Sequence, residues 1–357
     1  MASRGTARSM TGGGTELGRL ADSARAAIDR VGAVASSFQL AGRVIRLVGA
    51  GPALIDSIAP AFGHLPKISN DDPADLTVLL WDSASTGEPL PDLGAFRPEP
   101  GSAVTPVLHG GGRSFVFHAF ENAMSYLDHG EGVAVHVVED AALLPPWERA
   151  CPLRALLTWW LAPQQMLLAH GAAVGSPAGA VVLAGPGGSG KSTTALACLA
   201  AGMGYLGDDY VLLDPKSRSV WSVYGSAKLA EDHLARFPHL MRPEDPSPAD
   251  PGDAKRIGWP GEVMPDAMVT SAPVSAIVVP VVTGGPECTL TRVPSSRALM
   301  AVAPLTMFQT PGDLRAAFGL TTRFVAGLPT FRLELGGGME GVPGLLQDLA
   351  DGRAGQP

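Results

Sequence analysis

Gly185-Pro186-Gly187-Gly188-Ser189-Gly190-Lys191-Ser192 satisfies GxxxxGK[ST], a Walker A pattern. The apolar run 180–184 precedes it as a strand, and residues 191–201 follow it as a helix, which is the context that gives the pattern physical meaning. Glycines let the backbone curl so that successive N–H groups converge on phosphate oxygens, a geometry that side chains would obstruct. Lys191 supplies a point charge for the β- and γ-phosphates, and the Ser192 hydroxyl is placed to ligate Mg²⁺. The positive end of the helix dipole faces the same anion, and Gly202 stands where a left-handed cap is expected. Gly185, Gly187, Gly188, Ser189, Gly190, Lys191, Ser192 and Thr193 are therefore the candidate nucleotide-binding residues.

One helix downstream comes Tyr205-Leu206-Gly207-Asp208-Asp209-Tyr210, with the spacing of a strand that returns beside the loop strand and presents its C-terminal end to bound phosphates. Aspartates often do no more than cap or turn the chain. After a phosphate loop, however, phosphoryl transfer needs charge neutralisation, in-line placement and a group that accepts the proton of the attacking hydroxyl. One of Asp208 and Asp209 suits the base and the other Mg²⁺, and spacing alone leaves the two roles open. His170, on the run 167–174, titrates near neutrality and suits a partner of phosphate or carboxylate; a hydrogen-bonded strand histidine is the plainer reading. Lys228 reads either as a residue that approaches the substrate or nucleotide, delivered by a hairpin at 210–213 and 219–224, or equally as a solvated lysine. Residues 238–260, crowded with Pro, Asp and Gly, read as a mobile loop ending in Lys255 and Arg256, either a lid over the acceptor or a surface connector. Trp159 and Trp160 read as core.

The chain has 357 residues, more than one domain usually holds, with 46% hydrophobic and 17% charged residues, a balance that builds a core rather than disorder. A net charge of −8 argues against a nucleic-acid or anionic-membrane surface, so any anion is held locally. Only five of the 26 basic residues are lysines: Lys67, Lys191, Lys216, Lys228 and Lys255. Cys151, Cys198 and Cys288 are widely spaced, which fits neither a disulfide framework nor a thiolate zinc site and points to a reducing cytoplasm. The N-terminus lacks the apolar centre of a secretory signal, and the longest apolar stretch, 155–169, is too short to span a bilayer. Residues 1–38 read as a flexible extension with one Ala-rich helix at 16–34. Residues 39–150 read as a mixed α/β unit, with strands at 44–48, 76–80, 114–119 and 133–138 and a helix at 53–62. Residues 151–350 form the nucleotide-binding unit, continuing through strands at 275–282, 288–293 and 330–335 and helices at 296–307, 312–326 and 342–349; residues 351–357 are a tail.

Together LLAHGAAVG, VVLAGPGGSGKST and GYLGDDYVLL resemble the catalytic domain of HPr kinase/phosphorylase and its relatives. The resemblance runs over about residues 167–230, and His170-Gly171 and Asp208-Asp209 match the His-Gly and Asp-Asp of that family. It implies an α/β fold shared with phosphoenolpyruvate carboxykinases, ATP and Mg²⁺ as cofactors, Asp208 as proton acceptor, Ser192 and Asp209 nearest the metal, and assembly into rings or dimers. Thr193 stands where the bifunctional enzymes commonly carry Glu, and their downstream glycine-rich signature has no counterpart, which argues against a reversible HPr enzyme. The segment 223–229 and the N-terminal unit look more like related kinases of peptide-modification and other biosynthetic clusters. The expectation is an ATP- and Mg²⁺-dependent phosphotransferase acting on a hydroxyl, foremost Ser or Thr of a peptide or small protein, with Asp208, Asp209, Lys191 and His170 as catalytic residues. The alternatives are a small-molecule kinase acting on a sugar or amino acid, a nucleotide-hydrolysing switch that yields no phosphorylated product, and a catalytically silent nucleotide-binding module.

Overall fold

The computed structural model describes residues 14–91, 107–118, 122–229, 236–240, 255–309 and 313–353. It is a mixed α/β protein with two large mixed sheets. The first is built from β1 (Ala33–Leu40), β2 (Arg43–Ala50), β3 (Lys67–Ile68), β4 (Leu76–Asp82), β5 (Val107–Gly110), β6 (Arg113–His118), β7 (Ala123–Asp128) and β8 (Val133–Val138). Their order is β3-β1-β2-β4-β8-β7-β6-β5; β2, β4 and β8 run parallel and the flanking pairs antiparallel. Helix α1 (Gly14–Val31) lays Leu20, Ala24 and Ala27 on one face, in a cluster with Trp81, Phe115 and Tyr126. The spacing of those three residues is the helical stripe that makes this face bury. The helix expected at 16–34 is present as α1, but residues 14–38 are packed on the sheet as that helix and most of β1 rather than forming a flexible extension, while residues 1–13 lie outside the described part.

The opposite face carries α2 (Ala53–Ile58) and α3 (Arg154–Leu161), whose Leu54, Ile58, Leu156 and Trp159 share one apolar cluster with Tyr210, Leu212 and Tyr224 from the second sheet. The two sheets therefore meet through a common core, and Trp159 and Trp160 are buried within it, as core residues should be.

The second sheet contains β9 (Leu167–His170), β10 (Ala172–Ser176), β11 (Gly179–Leu183), β12 (Gly204–Gly207), β13 (Tyr210–Asp214), β14 (Ser219–Trp221), β17 (Ser271–Val282), β18 (Thr289–Val293) and β19 (Thr330–Leu335). Every residue of β11 is buried, as its unbroken apolar run requires. It pairs parallel with β17, a twelve-residue strand long enough to serve β14, β11 and β19 in turn. Helices α4 (Lys191–Ala200) and α7 (Val342–Ala350) bury Leu196, Leu199 and Leu346 on one face. A hairpin of α5 (Ser295–Gln309) and α6 (Leu314–Val325) covers the other with Ala298, Leu320 and Phe324.

Three local expectations change. The run 167–174 is broken at Gly171 into β9 and β10, which pair with different neighbours. Strand β12 lies not beside β11 but one place away, with β10 between them; both are antiparallel to β10, so β11 and β12 still point their C-terminal ends the same way. The segment read as an irregular loop at 238–260 includes strand β16 (Arg256–Gly258), paired with β15 (Ala227–Leu229), and a helical turn at Pro260–Val263; its part 241–254 falls outside the described residues.

Candidate functional site

Chain direction fixes where the site forms. Strands β11, β17 and β19 are mutually parallel, so the loops leaving their C-terminal ends gather on one edge of the sheet, where ligands bind in open α/β folds. The loop after β11 is the Gly185–Ser192 stretch, and α4 starts at Lys191. Gly190, at φ +99°, takes the backbone conformation that side chains resist, and a Cβ there would collide with the Leu335 side chain at the end of β19. Conformation therefore favours glycine at this position, and a Cβ would in addition have to displace the end of the Leu335 side chain.

Lys191 is buried, and its ammonium donates to the carbonyls of Gly185 at 2.8 Å and Pro186 at 3.1 Å, so the side chain curls back over its own loop. Burial lowers its pKa, with Lys255 acting in the same sense and the two aspartates opposing. Ser189 is buried and its hydroxyl has no hydrogen-bond partner among the described residues. Such a group is costly unless satisfied by a ligand or solvent.

The acids form the tight turn between β12 and β13. The Tyr210 N–H donates to the Asp208 carbonyl at 3.0 Å, and the Asp209 N–H to the Asp208 carboxylate at 2.9 Å. Capping a turn and facing the phosphate loop are therefore done by the same residues. Asp208 is 1% exposed and its carboxyl accepts a hydrogen bond from the Ser192 hydroxyl. Burial and the neighbouring Asp209 charge raise its pKa, against the pull of Ser192, Lys228 and Lys191. Burial also pushes Asp209 upward, but the Lys228 ammonium, His170 and Lys255 outweigh it and hold that carboxyl below the usual range. Two adjacent acids are thus driven apart, the pattern expected where carboxylates take different jobs.

His170 ends β9, across the antiparallel pair from Tyr210, with its ring edge-on to the tyrosine at 5.2 Å. Its Nδ1 stands 3.7 Å from Asp209 Oδ1. Burial brings its pKa to about 4, so the imidazole is neutral at pH 7. Lys228, on β15, forms an ion pair with Asp209 Oδ2, and the Cys151 thiol lies 3.7 Å from the same oxygen.

A cavity of about 1340 Å³ joins these groups; His170, Gly188, Lys191, Ser192, Asp209 and Lys228 line it. Thr193 and Lys255 also line it, as do Gly336, Gly337 and Gly338 after β19, a second glycine turn that the sequence reading did not single out. Asp208 is not among the lining residues and sits beneath the wall. The volume exceeds the ~300–1,000 Å³ usual for a single small ligand. Of the residues expected from the sequence, His170, Gly187, Gly188, Gly190, Lys191, Ser192, Thr193 and Asp209 line this cavity, whereas Gly185, Ser189 and Asp208 do not. The pairing of the two acids differs from that implied by the family resemblance, because Ser192 is joined to Asp208 while Asp209 is held by Lys228.

Among the described residues no group of three or more His, Cys, Asp or Glu side chains is arranged around a common point. One hydroxyl and one carboxylate still suit Mg²⁺, which keeps several waters and takes phosphate oxygens for the rest of its shell. No helix among the described residues is long and apolar enough to cross a membrane. Comparison with protein-family models gives no match to this chain, and comparison with curated proteins likewise gives none.

Proposed function

We propose that the protein transfers the γ-phosphoryl group of Mg-ATP to a hydroxyl, as a phosphotransferase of the HPr-kinase-like P-loop type, with Ser or Thr of a peptide or small protein as the acceptor. The observation that carries the reading is the convergence of the phosphate loop and the Asp209 carboxylate on one cavity, with Asp208, which does not line it, hydrogen-bonded to the lining residue Ser192.

The loop amides and Lys191 hold the β- and γ-phosphates, aided by the N-terminal end of α4. Ser192 and Asp208 are the residues that would hold Mg²⁺, since their side chains already meet and Asp208 lies behind the loop. When bound, the ion neutralises charge on the phosphate oxygens. Asp209, the acid that lines the cavity and stays ionised at neutral pH, accepts the acceptor's proton. The acceptor oxygen then bonds to the γ-phosphorus, the bond from that phosphorus to the bridging oxygen breaks, and ADP leaves. These roles reverse the ones implied by the resemblance, in which Asp208 takes the proton and Asp209 the metal.

Incubation with γ-labelled ATP, Mg²⁺ and panels of Ser- and Thr-containing peptides, sugars and amino acids tests the reading. Label on an acceptor hydroxyl supports it. Release of free phosphate alone, with every acceptor left unlabelled, favours a hydrolytic switch and counts against it.

A further inference from the structure

Asp209 has φ +75°, a left-handed backbone that residues other than glycine rarely adopt. Two hydrogen bonds secure that backbone, one from the Gly171 N–H to the Asp209 carbonyl at 3.0 Å and one from its own N–H to Asp208. The carboxylate is another matter. Among the described residues its one short contact is the Lys228 ammonium, with His170 Nδ1 and Cys151 Sγ both at 3.7 Å.

Lys228 is itself held from several sides. It lies on β15 opposite Ile257 of β16. Just before it, the Ser226 hydroxyl donates to the Ala150 carbonyl at 2.7 Å, the Tyr224 hydroxyl to the Pro152 carbonyl at 2.8 Å, and the Tyr205 hydroxyl to the Ser226 carbonyl at 3.1 Å. The same segment is clasped by the N-terminal unit. The Gly225 N–H donates to the Ala61 carbonyl at 2.8 Å, Phe62 packs on Tyr224, and His64 Nε2 is 2.6 Å from the Ser222 hydroxyl. The backbone at Gly225 passes so close that a Cβ would lie 2.7 Å from His64 Nδ1.

We infer that Lys228 is the positioning residue of the site, fixing the Asp209 carboxylate toward the cavity, and that the N-terminal unit serves the reaction by holding the 222–228 segment in place. The inference rests on the phosphotransfer reading for its consequence, though not for its geometry. An ammonium on a flexible stem makes one strong contact when its backbone is fixed, and a carboxylate released from that contact samples rotamers that miss an acceptor oxygen.

Three measurements test it, with Mg-ATP as substrate and water as acceptor, and with Mg-ADP for affinity. Lys228→Met is expected to lower kcat roughly 10²-fold, the cost of a small misplacement. Mg-ADP affinity should stay within about threefold, because binding is not touched. Lys228→Arg should restore part of kcat, and adding Lys228→Met to Asp209→Asn should cost nothing further, since both act through one group. A crystal structure of Lys228→Met should show the Asp209 carboxylate turned away or split between conformers. Parallel losses of Mg-ADP affinity and kcat, effects of the two substitutions that multiply, or an unmoved Asp209 would overturn the inference. If the unaltered protein neither binds Mg-ADP nor hydrolyses ATP, the phosphotransfer reading fails, and the crystallographic comparison still decides the positioning. Should Lys228→Met not fold, Lys228→Gln takes its place in every measurement.

Discussion

Asp209 and Lys191 do opposite things at the cavity wall, and their substitutions should fail in opposite ways. On the proposed phosphotransfer reading Asp209→Asn keeps the shape and removes the proton acceptor, so kcat should fall by about 10²–10⁴-fold, the usual worth of general base catalysis, while Mg-ATP affinity hardly changes. Steady-state kinetics beside equilibrium titration reads that split. Lys191→Ala removes charge-assisted hydrogen bonds of about 1.5–3 kcal/mol, which amounts to about 10–100-fold in Kd. At this scale the loop, His170 and both acids were legible in the sequence, because the GxxxxGK[ST] spacing and the acids one helix later are local patterns. The division of labour was not. It depends on which acid meets Ser192 and which meets Lys228, and Lys228 reaches Asp209 only through a tertiary contact.

Gly190→Ala places a Cβ against Leu335 in a left-handed backbone and should cost about 1–3 kcal/mol, with loss of phosphate binding. Leu196→Ala, deep between α4 and the sheet, should cost about 2–5 kcal/mol in denaturant unfolding while leaving the loop sequence intact. Continuous or alternating apolar runs located β2, β4, β6, β8, β11 and β19, since such patterns are what half-buried and buried strands require. Strand β7 gave no such signal. It carries Ser125 into the interior, where the hydroxyl lies 3.0 Å from His118 Nε2 and 2.9 Å from His136 Nδ1, a cross-strand arrangement that no single stretch of sequence announces. Composition misled at Arg256–Gly258, where proline-rich surroundings hid a short strand, and at α1, whose small side chains read as a loose extension until a sheet face received them.

Across the whole molecule, the shared core under the two sheets ties stability to pH through buried histidines. His64 and His136 are both brought down to about 4 by burial, and in the unfolded chain they titrate near 6.5. Above that value both states are neutral and nothing is lost. Below it the unfolded chain binds protons that the folded one refuses, so stability should fall between about pH 6.5 and pH 4, by about 3 kcal/mol for each histidine. Urea unfolding at pH 7.5 and 5.0 measures the slope, and His64→Gln should flatten its share of it. Such acid sensitivity belongs to the scaffold and is independent of any nucleotide. The proposed phosphotransfer requires the β11–α4 loop to grip a magnesium-bound nucleotide beside Asp209. Calorimetric titration with Mg-ATP, set against Lys191→Ala and against ATP with chelator, decides the point. Saturable binding that weakens on removing either the lysine or the metal is the predicted result; absent heat, or binding unchanged in Lys191→Ala, would contradict it.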